Sequence, residues 1–229
     1  RFPPRSPFPR ASDAIALVGL FATARVFVSL AAMDVGTAFG TLGARREMMI
    51  GFLAEPALLM VIFVASLISA TTALPQISEL LATQSLALYP SLAFTAVAFT
   101  MVLLAENARI PVDNPATHLE LTMIHEALLL EYSARHLALM EWAAALKLFN
   151  YVCIGFALFI PWGLATSQAP FVLTLSLLLL GAKLVLAGAG IALIETVSAK
   201  LRVFRAPEFL ATAFLFAVLG LLVRLLLGA

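Results

Sequence analysis

Residues 171–197 read FVLTLSLLLLGAKLVLAGAGIALIETV, an apolar run whose only charged members are Lys183 and Glu195. A surface helix of a soluble domain carries a polar stripe, and a strand is far shorter; this run fits neither. Crossing roughly 30 Å of hydrocarbon at about 1.5 Å per residue takes about 20 such residues. The run predicts a transmembrane helix.

The same signal recurs along the rest of the chain. Further spans are expected at about 14–33, 51–71, 86–105, 137–162 and 209–227. The predicted fold class is therefore an all-α integral membrane protein, a bundle of about six transmembrane helices in one domain covering 1–229. Composition agrees, with 62% hydrophobic residues, 12% charged and a mean hydropathy of +1.04. A formal charge of +1, with basic residues scattered, speaks against a nucleic-acid groove or a funnel for acidic substrates. The opening RFPPRSPFPR is too rich in proline for a helix interior and reads as an exposed lead-in.

Between the spans lie two polar stretches. MDVGTAFGTLGARRE, residues 33–47, reads as a loop in which Gly36, Gly40 and Gly43 permit tight turns. It lacks the strand and lysine of a phosphate cradle. Residues 106–136, ENARIPVDNPATHLELTMIHEALLLEYSARH, form the long polar loop, broken at Pro111 and at Asn114-Pro115. From Thr117 onward a short amphipathic helix is expected, with Glu120 and Glu131 on one face. His118 and His125 share a helical spacing, but His125-Glu126 lacks the second histidine of a zinc protease motif, so no metal site is expected. Cys153 is the sole cysteine and cannot supply an iron–sulfur cluster, so no cofactor is expected within this chain.

Loop charge sets an expected orientation. Arg45 and Arg46, then Arg109 and Arg135, then Lys200, Arg202 and Arg205 lie in alternate loops, while the loops after the second and fourth spans carry no lysine or arginine. The basic loops, including 106–136, should face the cytoplasm. The basic lead-in opposes this orientation and carries less weight than the five loops together.

Inside the spans sit Arg25, Glu55, Glu141, Lys147, Lys183, Glu195 and Arg224. An ionised group at mid-bilayer costs roughly 2.5–3.5 kcal/mol on insertion scales, so these must pair, hydrate or face the bundle interior. Glu141 and Lys147 are six apart, and Lys183 and Glu195 twelve apart, spacings that leave neither pair together on its helix. Partners must come from other helices. Such a set can be a structural ion-pair lattice or a proton pathway; for Glu55, Glu141, Lys147 and Lys183 the pathway is the favoured reading. Arg224 and Glu195 read as interfacial residues near helix ends.

The core Glu106-x-x-Arg109, Pro111 and Asp113, followed by Glu120 and by Glu131-Tyr132-Ser133, resembles a loop of the complex I subunit 1 family. THLELTMIHEALLLEYS, then LALMEWAAALKL, and upstream MDVGTAFGTLGARREMMIGFLAEPALL, resemble the hydrogenase branch of that family, the membrane subunits of the hydrogenase-4 and formate hydrogenlyase kind. Arg109-Ile110-Pro111-Val112-Asp113 departs from the quinone-reducing form of the loop. About eight spans are expected of the family against about six here, with the deficit expected at the N-terminal end.

The resemblance implies a subunit without its own redox centre. Its partners would be a hydrogenase large subunit holding a nickel–iron centre, a small subunit holding iron–sulfur clusters, and antiporter-like membrane subunits, in a bacterial or archaeal cytoplasmic membrane. Glu106, Arg109, Asp113, Glu120 and Glu131 would then form the coupling and docking loop, and Glu55, Glu141, Lys147 and Lys183 the proton pathway. The alternatives are a quinone-site subunit of a complex I-type NADH dehydrogenase, or a stand-alone secondary ion transporter.

Overall fold

The computed structural model describes residues 13–84, 89–113, 123–165, 169–199, 201 and 205–227. These form α1 (Ala14–Asp34), α2 (Ala38–Ser69), α3 (Leu74–Thr83), α4 (Ser91–Glu106), α5 (His125–Leu129), α6 (Ala134–Phe159), α7 (Pro170–Val197) and α8 (Ala206–Leu227). Five of them, α1, α2, α6, α7 and α8, are long and apolar enough to cross a bilayer. The sixth apolar helix, α4, has 16 residues, about 24 Å of rise. The chain is a multi-pass, all-helical membrane protein.

The helix α2 is the hub, packing against α1, α4, α5 and α8. Its start corrects the reading of residues 33–47 as a loop. Thr37 caps the helix by accepting from the Gly40 amide at 3.2 Å, and α2 then runs unbroken for 32 residues. Gly36 does sit in a turn, at φ +74°. Gly40 and Gly43 instead serve packing: a Cβ at Gly40 would lie 2.7 Å from the Ala32 carbonyl oxygen, and one at Gly43 2.8 Å from Ala127 Cβ. Each helical glycine costs about 1 kcal/mol against alanine, offset here by the approach of α1 and α5. Pro56 lies inside α2 without ending it.

Two further boundaries differ from expectation. The helix α3 falls between the expected spans 51–71 and 86–105, with Pro75 in its first turn, where the missing amide is no loss. The described part of 106–136 is less open than a polar loop suggests, because Val112, Asp113, Met123, Ile124, Ala127, Leu128 and Leu129 are all buried. The segment begins with the last residue of α4 and ends in the first turn of α6; between them α5 is the only helix among the described residues, and His118 and Glu120 lie outside them.

Small residues bring the remaining helices together. In α8 the buried residues are Ala206, Leu210, Ala213, Ala217 and Gly220, a stripe at helical spacing. A Cβ on Gly220 would meet Thr95 Cγ2 of α4 at 2.7 Å, and one on Gly155 of α6 would meet the Phe99 ring at 2.9 Å. The helix α7 buries none of its residues, although Leu184, Ala187, Ile191 and Ile194 touch the core along one side. Its outward Phe171, Leu178, Val185, Leu186 and Val197 are more than two-thirds exposed, a surface only lipid or another apolar subunit can cover.

Candidate functional site

The polar centre of the bundle is built around Arg25, 7% exposed in mid-α1. What admits it is Gly51 of α2. A Cβ there would fall 2.1 Å from Arg25 Nη1 and 2.9 Å from Cζ, so the glycine is a slot across which the guanidinium lies. Glu47 and Glu55 stand one turn before and one turn after that slot, each rotated about 40° from it, and so bracket the arginine.

All three nitrogens of the guanidinium face carboxylates. Nη1 donates to Glu55 Oε1 at 2.7 Å, Nη2 donates to Glu106 Oε2 in a close contact, and Nε lies 3.6 Å from Glu47 Oε1. Glu106, 5% exposed, ends α4. Lys147 of α6 reaches the same residue twice: its Nζ is 3.1 Å from Glu106 Oε2 and donates to the Glu106 carbonyl oxygen at 2.6 Å. The ammonium thus also closes the carbonyl end of α4. One turn along α6, the buried Tyr151 stacks on Phe21 with centroids 5.1 Å apart and interacts electrostatically with Glu106, Arg25 and Glu55.

The cluster joins α1, α2, α4 and α6, which answers the expectation that partners come from different helices. It combines two cations and three carboxylates, so full ionisation would leave one negative charge in excess. Its buried members, Arg25, Glu47 and Glu106, are held together by mutual compensation, so that removing Arg25 costs far more than any one pair contributes.

Of the sequence-derived pathway residues, the structure brings together Glu55 and Lys147. Glu141 is exposed on α6 and, among the described residues, has no ion-pair partner. Lys183 lies on α7, where Nζ donates to the Ile160 carbonyl oxygen at 2.7 Å and closely to that of Trp162, 5.8 Å from the Phe156 ring centroid. It closes the carbonyl end of α6 rather than joining the cluster.

The loop residues are likewise divided. Glu106 belongs to the cluster. Arg109 Nη1 is 3.5 Å from Glu195 Oε1, tying the segment after α4 to the end of α7, and the Leu201 amide donates to the Pro111 carbonyl oxygen at 2.8 Å nearby. Asp113, 2% exposed, accepts from the His125 amide at 3.0 Å and so anchors the start of α5. Glu131 is exposed after α5. Arg46 donates to the Met123 carbonyl oxygen at 2.6 Å, a second tie between α2 and this segment.

Sequence reasoning passed over Glu47 and Gly51, because both fell at the edge of an assumed loop. The signal was present in Glu47-x-x-x-Gly51-x-x-x-Glu55, acid and glycine at helical spacing. Among the described residues, no three histidine, cysteine or carboxylate side chains are grouped to hold a metal ion.

The described residues thus form a helical membrane bundle around a five-membered charge cluster, in which Arg25, Glu47 and Glu106 are buried and the Glu55 and Lys147 side chains are 33% and 24% exposed. Residues 5–226 match the NADH dehydrogenase family, and the chain belongs to that family, the complex I subunit 1 family. It is 34% identical over 219 residues to formate hydrogenlyase subunit 4 of Escherichia coli K12, covering 94% of this chain and 69% of that protein. It is 37% identical over 161 residues to hydrogenase-4 component C of the same organism, covering 70% of this chain and 50% of that protein. The chain thus spans about two-thirds of one relative and half of the other.

Proposed function

We propose that this chain is the membrane core subunit of a group 4 membrane-bound nickel–iron hydrogenase complex, where it anchors the peripheral redox arm and couples electron transfer to proton translocation. The observation that carries the reading is the Arg25–Glu47–Glu55–Glu106–Lys147 cluster, with Arg25, Glu47 and Glu106 buried and Glu55 and Lys147 partly buried, at the end where α4 passes into the 106–136 segment. An odd number of ionisable partners in a low-dielectric site leaves one carboxylate able to gain or lose a proton without dismantling the rest. Likeness to two hydrogenase-complex subunits supports the kind of complex.

In this account Arg109, Asp113, Glu120 and Glu131 form the junction with the peripheral arm, and Glu106 links that junction to the cluster. Glu55 and Lys147 are the inner members of the proton route. Glu141, on the outer face of α6, and Lys183, on α7, extend it towards antiporter-like neighbours. The nickel–iron centre and iron–sulfur clusters belong to the large and small partner subunits. The membrane is the cytoplasmic one, with 106–136 on its cytoplasmic side.

Gentle detergent extraction, mass spectrometry of the companions and measurement of nickel and iron on the same sample test this assignment. Hydrogenase large and small subunits with stoichiometric nickel are expected. A complex without nickel that reduces quinone in an inhibitor-sensitive way would overturn it in favour of a quinone-site subunit; transport by the isolated chain would overturn it in favour of a self-sufficient transporter.

A further inference from the structure

Pro56, Leu59, Phe63, Leu67 and Ala70 follow one another at helical spacing along α2 and floor a cleft of about 780 Å³, closed by Ile15 at the start of α1 and by Phe214 of α8. Ile15, Leu59, Phe63 and Leu67 are each more than a third exposed, so the cleft opens sideways, where the bilayer lies. From Pro56 to Ala70 the floor runs about 21 Å. That is enough for the chain depth of one leaflet, about half of the roughly 30 Å of hydrocarbon. A helix about 10 Å across would fill about 1,600 Å³ over the same length, twice the room there is. A helix could rest on the rim; an acyl chain can enter.

The mouth is polar and carries one negative charge. It lies at Thr71 and Thr72, on the face opposite 106–136, where Thr72 Oγ1 donates to Asp13 Oδ2 at 3.2 Å and Thr71 Oγ1 to Gln76 Oε1 at 2.9 Å. Asp13 also accepts from the Ile15 amide at 3.0 Å and, among the described residues, has no ion-pair partner. The α2–α3 link holds no lysine or arginine. In the cleft wall, Ser66 Oγ has no hydrogen-bond partner among the described residues, whereas Ser69 donates to the Ala65 carbonyl oxygen at 3.0 Å. Ser66 stands about 6 Å of helix rise inside Ala70, the thickness of one headgroup layer, roughly 5–7 Å.

We propose that this cleft binds one phospholipid of the leaflet opposite 106–136, its acyl chain laid along α2 from Ala70 to Pro56 and its ethanolamine headgroup beside Asp13. Lipid tails are as apolar as leucine, so a chain entering from the bilayer gains packing and no hydrophobic burial. Choice among lipids therefore falls to the mouth. An ethanolamine ammonium can donate to the Asp13 carboxylate, while a phosphoglycerol headgroup would add a second negative charge there. At its depth Ser66 offers a hydroxyl to an ester carbonyl. The inference goes beyond the hydrogenase reading and depends on the fold alone.

The complex, as it purifies in mild detergent, tests the site. Cryo-electron microscopy should show tubular density along Leu59, Phe63 and Leu67 with its polar end beside Asp13. Leu67→Trp should displace it, leaving one phosphatidylethanolamine fewer per complex by lipid mass spectrometry. A neighbouring subunit in the cleft would overturn the proposal, and so would an adventitious additive only, seen as detergent density with an unchanged lipid count in Leu67→Trp. After delipidation and return to nanodiscs of equal phosphatidylethanolamine and phosphatidylglycerol, the wild type should retain ethanolamine lipid with a preference roughly two- to fivefold above that of Asp13→Asn, the worth of an exposed ion pair. Asparagine caps a helix about as well as aspartate, so this variant changes the charge and keeps the cap. Equal preference in both would overturn the headgroup assignment. Where Leu67→Trp does not assemble, Asp13→Asn and the density decide.

Discussion

Gly51 and Arg25 illustrate how one residue's absence of a side chain sets another's chemistry. Replacing Gly51 by alanine places a carbon 2.1 Å from Arg25 Nη1, and the guanidinium must leave the slot between Glu47 and Glu55. We expect Gly51→Ala to destabilise the subunit by about 1–3 kcal/mol, as overpacking does, seen as a lowered unfolding temperature of the detergent-solubilised complex. Arg25→Leu should be worse, because three carboxylates would face one ammonium; breaking a buried pair costs about 3–5 kcal/mol. The level of subunit in the membrane, by immunoblot, checks this. Normal accumulation of Arg25→Leu would mean that the carboxylates are solvated and that the cluster is not the buried network described. The sequence made Arg25, Glu55 and Lys147 conspicuous because charge in an apolar run has few innocent explanations. Glu47 stayed hidden, since an acid beside Arg45 and Arg46 looks like any polar loop.

At the scale of elements, helix ends decide what periodicity cannot. Apolar length announced α1, α6, α7 and α8 to within a few residues. The start of α2 was not legible, because its glycines are there for the approach of α1 and α5, contacts that exist only after packing. The helix α3 was missed for a related reason: Pro75 marks a helix start as readily as a turn, and only its neighbours distinguish the two. Two cross-element ties yield predictions. Lys183 holds the carbonyls that end α6, and Lys183→Met should free them, raising hydrogen exchange in residues 160–165 by a factor of about ten for each 1.4 kcal/mol lost. Unchanged exchange would show that other groups close α6. Arg109→Ala should weaken co-purification of the peripheral arm, and the exchanged pair Arg109→Glu with Glu195→Arg should recover part of it if the 3.5 Å contact matters to the junction. No recovery would leave Arg109 acting through other partners.

For the whole molecule, the termini of the helices sort into two layers. The ends of α1, α4 and α7 and the starts of α2, α6 and α8 lie on one side with Arg45, Arg109, Arg135 and Arg205; the α2–α3 link, joined to Asp13 by the Thr72 hydroxyl at 3.2 Å, lies on the other. After replacing Cys153, single cysteines at Arg135 and Thr72 should be labelled from opposite faces of right-side-out vesicles, Thr72 from outside. Labelling of Arg135 from outside would invert the orientation. The class of the fold was readable from hydropathy alone, and the family from motifs in order, but the site was not: a cluster drawn from four helices has no signature in any one of them. Whether that cluster conducts protons is the central claim. Its most direct test is the number of protons moved per hydrogen formed in proteoliposomes holding the purified complex, with and without Lys147→Met. The account predicts a fall of roughly tenfold or more in that ratio; an assembled Lys147→Met complex with the wild-type ratio would contradict it.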